Sequence, residues 1–146
     1  MTATQRLRRC LCAFLLLGSL SMCAQLVDRS PVTVEQSVQR LAHVDFFAFG
    51  GVGFGGVTSQ GELDFRRIKL EPPDVALAQF ERVYALGNLA AKSYALVGIH
   101  SLSSKRFKEL YAHLPTPNSD VETMHGCEIS SEHFREIARQ IKEGKI

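Results

Sequence analysis

Residues 50–56 read Gly-Gly-Val-Gly-Phe-Gly-Gly, five glycines in seven positions. No other segment constrains the fold so strongly. Glycine loses the most backbone freedom on ordering, so an ordinary helix is not expected here. The preceding run, Val44-Asp-Phe-Phe-Ala-Phe49, fits an extended or a helical path by pattern alone. A compact turn with close backbone approach is the expected result. Phe47, Phe49 and Phe54 then have two readings. They fill the core around the turn, which is the usual fate of phenylalanine. Alternatively, the Phe46–Gly56 segment is an exposed surface that grips a partner.

Gly51, Gly53 and Gly56 formally match G-x-G-x-x-G, with Glu71 and Asp74 about 20 residues on. The context opposes a dinucleotide site. A helix after the glycines should return into a second buried strand, but Glu71-Pro-Pro-Asp74 occupies that place. No Gly-Lys-Ser/Thr follows, so a P-loop is excluded.

Outside this stretch the chain reads as helices. Thr33-Val-Glu-Gln36 fits a capping box, and Val34, Val38, Leu41 and Ala42 share one face of a helix over 34–43. Ser59-Gln-Gly-Glu62 fits a second box, opening a helix over 60–69 with Leu63, Phe65, Ile68 and Leu70 as its apolar residues. Glu71-Pro-Pro73 stops it. Asp74 is the expected cap of a helix over 75–86, closed by Gly87-Asn88. Leu89–Leu102 is apolar nearly all round, with Lys92, Ser93, His100 and Ser101 on one half of the cylinder. It is the expected central helix. Phe107, Leu110, Tyr111 and Leu114 mark another amphipathic helix. Residues 121–129 suit a small hairpin. The last helix, starting at Ser130 or Ser131, buries Phe134, Ile137, Ala138 and Ile141. The expected fold is therefore mainly α: a bundle of about five to six short helices with a Gly/Phe-rich loop. At 146 residues, 45% apolar and 22% charged, the chain suits a single globular domain.

The first residues have a separate role. Arg6, Arg8 and Arg9 precede an almost wholly apolar run, Cys10 to Leu20, and a small-residue exit at Ser21-Met-Cys-Ala24. This is the pattern of a secretory signal peptide, with an uncleaved anchor as the alternative. The run is short for a membrane span, which needs about 20 residues. Residues 1–24 are read as the signal, 25–32 as a flexible lead-in and 33–146 as the domain. Leu20-Ser-Met-Cys23 also offers a lipobox, although Met22 matches it poorly; a lipid on Cys23 would tether the protein. The expected location is periplasmic or secreted, with lipid anchoring as the alternative. Cleavage after Ala24 removes three Arg and no acid, leaving 14 basic and 15 acidic residues at a net −1. The basicity belongs to the leader, so nucleic acid is not an expected partner. A membrane enters only through the lipid or an uncleaved leader.

Cleavage also leaves Cys127 as the one cysteine. Unpaired cysteine is usually a buried, inert thiol, and that is the expectation here. The functional alternatives are an interchain disulfide or a reactive thiol with His125 as its base. His125, Cys127 and His133 are soft ligands, but their spacing matches no standard zinc site, so metal is not favoured. No cofactor is called for. Glu62/Asp64 and Glu132/Glu136 are read as solvated faces rather than catalytic pairs. Lys105-Arg106-Lys108 is read the same way.

Phe47-Ala-Phe-Gly-Gly-Val-Gly-Phe54, Ala90-Ala-Lys-Ser-Tyr-Ala-Leu-Val-Gly98 and Thr123-Met-His-Gly-Cys127, in that order, resemble small exported bacterial proteins of unknown function. The resemblance implies bacterial export and supplies no catalytic residue. The expected function is a non-catalytic interaction or structural role in the cell envelope, with a protein partner there. A Cys127-dependent enzyme or redox protein is the rival, and a His/Cys metal-binding protein comes third.

Overall fold

Thr33 opens the first helix, α1 (Val34–Ala42), with both halves of its capping box in place. Its hydroxyl accepts from the Gln36 N–H at 3.2 Å, and its own N–H donates to the Gln36 side chain at 2.9 Å. The computed structural model describes residues 31–114 and 119–146, and Val32–Ile146 forms one compact unit. The leader, its cleavage point and Cys23 lie outside the described residues.

After α1 the chain runs extended through Phe47 and then doubles back. Strands β1 (Gly51–Val52) and β2 (Val57–Thr58) pair antiparallel, with Val52 opposite Val57. The glycine stretch is thus a short hairpin. Gly53 and Gly56 take positive φ in its turn, at 68° and 58°, where any other residue would be strained.

Helix α2 (Gln60–Lys69) keeps only half of its expected capping box. Ser59 accepts from the Glu62 N–H at 3.1 Å, but the Glu62 carboxylate turns instead to the Gly50 N–H and to Arg66. Its inner face also differs from expectation: Gly61, Glu62, Asp64, Phe65 and Ile68 are buried, whereas Leu63 and Leu70 are exposed. Helix α3 (Pro73–Leu86) begins on Pro73, whose missing N–H costs nothing at a helix start. Pro72 holds the cap position expected of Asp74. Asn88 caps α4 (Leu89–Leu102), its side chain accepting from the Ala91 N–H at 2.9 Å. Ser103 caps α5 (Ser104–Ala112).

Strands β3 (Asp120–His125) and β4 (Glu128–His133) form the second hairpin, from the Asp120–His133 pair to the His125–Glu128 pair. It is longer than the sequence suggested. Ser130 and Ser131 stay in the ladder, opposite Thr123 and Glu122, so α6 (Phe134–Lys142) starts later than expected. Its apolar face is the expected one: Phe134, Ile137, Ala138 and Ile141 are buried.

The described residues thus hold six helices and two small antiparallel hairpins, a mainly α fold. Helix α4 is its centre, packed by α3, α6, α5, α2, β3 and α1. Ser93 lies inside, its hydroxyl donating to the Leu89 carbonyl, so α4 has less wet surface than its sequence suggested. Among the described residues no helix is long and apolar enough to cross a membrane.

Candidate functional site

The two hairpins meet at their turns. Phe47 pairs with β3 in a parallel bridge: its N–H donates to the Glu122 carbonyl at 2.8 Å and its carbonyl accepts from Met124 at 3.1 Å. The two segments part after this bridge and meet again where Val52 pairs with Gly126 and the Gly53 N–H donates to the Gly126 carbonyl at 2.7 Å. Phe54 and Cys127 each follow one end of that bond, so one end of the molecule carries both turns.

Tyr94, fully buried on α4, fixes this end from below. Its hydroxyl donates to the Ala48 carbonyl at 2.6 Å and accepts from the Ala48 N–H at 3.0 Å. One side chain thereby satisfies both backbone groups of an extended residue that has left the sheet ladder. Burial pushes the Tyr94 phenol up, so it holds its proton as a donor. Phe47 meets Tyr94 edge-on at 4.9 Å between ring centres, and Phe49 meets Phe65 and Tyr94 at 5.2 Å each. Edge-to-face contacts of this kind add to simple area burial. Gly61 leaves room for the Tyr94 ring, since a Cβ there would lie 2.9 Å from it.

The three candidate phenylalanines therefore separate. Phe47 is 5% exposed and belongs to the core, which removes it from the partner surface. Phe49 is half-buried against that core. Phe54 stands fully exposed on the glycine turn.

Glu62 and Asp64 overturn the reading of a solvated acidic face. They are 3% and 1% exposed. Glu62 accepts from the Gly50 N–H at 2.8 Å, which pins the start of the glycine stretch to α2. That carboxylate also places negative charge beside the glycines, where a phosphate would need positive potential. Asp64 takes a two-pronged contact from Arg40 on α1, with Gln60 at 3.0 Å. Burial alone would raise its carboxyl, but the hydrogen bonds from Arg40 and Gln60 outweigh this and hold it below the ordinary range.

Cys127 is exposed, against the expectation of a buried thiol. Its position explains this. Gly126 and Cys127 form the two-residue turn between β3 and β4; Gly126 has φ +58° and Cys127 does not, the pattern of a type II′ turn. Such a turn projects beyond the strands. His125 lies on the strand side of the turn, with Nε2 at 3.7 Å from Glu132. His133 sits at the opposite end of the hairpin, with Nδ1 at 2.5 Å from Asp120. The ladder separates the two histidines by roughly 17 Å at about 3.4 Å per residue. Among the described residues no group of three or more His, Cys, Asp or Glu side chains could hold a metal ion.

A polar cluster lines the inner face of this hairpin. The buried Thr123 hydroxyl lies 2.8 Å from Ser130 Oγ and 3.1 Å from Glu132, which also receives Gln140 from α6 at 3.3 Å. The hydroxyl meets the carboxylate rather than His125, and the cluster ties β3 and β4 to α6. No protein-family model, curated protein or solved structure matches this chain.

Proposed function

We propose that the protein is an exported, non-catalytic interaction module of the cell envelope. It grips a protein partner with the end where the two hairpin turns meet. The observation that carries this reading is the exposed Phe54 ring on a tied glycine turn. Burying such a side chain at an interface contributes about 2 kcal/mol, and a pre-ordered turn lowers the entropy cost of docking. Val57 on β2 and Ile129 on β4 are also exposed. The basic start, apolar run and small-residue exit of residues 1–24 support export, and intact mass of the protein from the envelope fraction tests it.

The grip is tested by cross-linking in envelope extracts with the wild-type protein and the Phe54→Ser variant. A partner captured by the first and lost by the second is the expected result. Capture that is indifferent to Phe54 would overturn the reading.

A thiol function is the second reading, favoured by the exposed position of Cys127 beside the same end. It requires that Cys127→Ser abolish an activity that Phe54→Ser leaves intact.

A further inference from the structure

We propose that the cleft between α4, α5 and α6 is a binding site for a small aromatic carboxylate, a role separate from the hairpin end. The cleft has a volume of about 410 Å³ and is lined by His100, Ser104, Phe107, Lys108, Tyr111 and Lys142. That volume lies in the range of small-molecule sites, roughly 300–1,000 Å³.

Its charge is one-sided. Two lysines line the cleft and no carboxylate does. Among the described residues neither lysine has an ion-pair partner, although the arginines nearby are tied up. Arg106 is held by Glu81 and Glu109, and Arg139 by Glu136 and Glu143. The acids that could have neutralised the cleft are thus spent on arginines outside it. Ser104 is the first residue of α5, so the positive end of a nine-residue helix adds to the same potential.

Apart from Ser104, the rest of the lining is aromatic. His100 and Phe107 meet edge-on at 4.6 Å, Phe107 and Tyr111 lie at 5.8 Å, and the Lys142 ammonium sits 4.9 Å from the Tyr111 ring centre. A bare inorganic anion would use the lysines and leave the rings without a partner. A neutral aromatic molecule would leave the two ammonium groups without a counter-charge. A flat ring bearing one carboxylate answers both, with its ring against Tyr111 and His100 and its oxygens toward Lys108 and Lys142.

The test titrates the full chain with 2-naphthoate by calorimetry while proton NMR follows the His100 and Tyr111 ring signals. Saturable binding of one molecule per chain that moves both sets of signals is expected. 2-Naphthylmethanol, which lacks the charge, and inorganic phosphate, which lacks the ring, are each expected to bind at least roughly tenfold more weakly. Lys108→Gln with Lys142→Gln is expected to raise the naphthoate Kd by roughly tenfold or more. Lys92→Gln, on the far part of α4 over Tyr84, leaves it unchanged. Tyr111→Leu, which keeps apolar bulk but removes the ring, is expected to weaken binding severalfold and covers the case in which the double variant fails to fold. No saturable binding, a Kd unmoved by the lysine substitutions, or phosphate binding as well as naphthoate would overturn the proposal.

Discussion

At the scale of single residues, Asp64 has the sharpest consequence. Its carboxylate is buried while Arg40 keeps 41% of its side chain in water. Removing the carboxylate charge leaves a guanidinium that solvent can only partly compensate. Asp64→Asn is therefore expected to cost about 1–3 kcal/mol at neutral pH, below the value for a wholly buried pair. The pH dependence has a definite sign. The folded carboxyl titrates below its unfolded value of about 3.9, so the pair's contribution is complete above that value. It is lost as pH falls through the lower, folded value. Urea midpoints of the two proteins should differ most at neutral pH and converge as pH drops below about 4. A gap of equal size at both ends would assign the loss to packing rather than charge.

At the scale of elements, the contact between α3 and α4 rests on an absent side chain. A Cβ on Gly98 would lie 2.5 Å from the Phe80 ring, well inside van der Waals contact. Alanine would gain helix propensity of about 1 kcal/mol, but overpacking costs about 1–3 kcal/mol. Gly98→Ala should lower the thermal midpoint, and Gly98→Ala with Phe80→Leu should recover part of the loss. The helices were legible because each needs only local signals: a capping residue, an apolar stripe and a breaker. Thr33 with Gln36 and the Phe134–Ile141 stripe each lie within one element or its cap, whereas Asn88, read as closing one helix, caps the next. The glycine hairpin was not legible, because β1 and β2 have two residues each and owe their order to Gly126 and Glu62, far along the chain or turned inward. The burial of Asp64 depends on Arg40, 24 positions away, and no spacing rule reports that. Among the site candidates, the sequence identified the aromatic segment but could not separate Phe47 from Phe54, because alternation is broken by glycine. It also set Cys127 inside, where a turn position places it outside.

At the scale of the whole molecule, the proposed gripping end is not an appendage. Tyr94 belongs to α4, the helix on which the other helices and β3 pack, and its hydroxyl holds Ala48 at the base of the glycine hairpin. Order at the tip is therefore drawn from the same core that folds the helices. Replacing Tyr94 with Phe keeps the ring and its edge-on contacts but leaves the buried N–H and carbonyl of Ala48 without that partner. The carbonyl keeps the Ser59 hydroxyl at 3.4 Å, so the expected cost is about 1–3 kcal/mol, chiefly for the unpaired N–H. If the end and the core are one cooperative unit, melting followed by far-UV circular dichroism and by the NMR amide signals of Phe47 and Gly53, which donate to Glu122 and Gly126, should remain coincident in the variant, both shifted down together. A hairpin end that loosened first would show as a transition in those two amide signals ahead of the helical one. In that case the rigidity assigned to Phe54 would come from the Gly53–Gly126 bond and the Glu62–Gly50 contact alone.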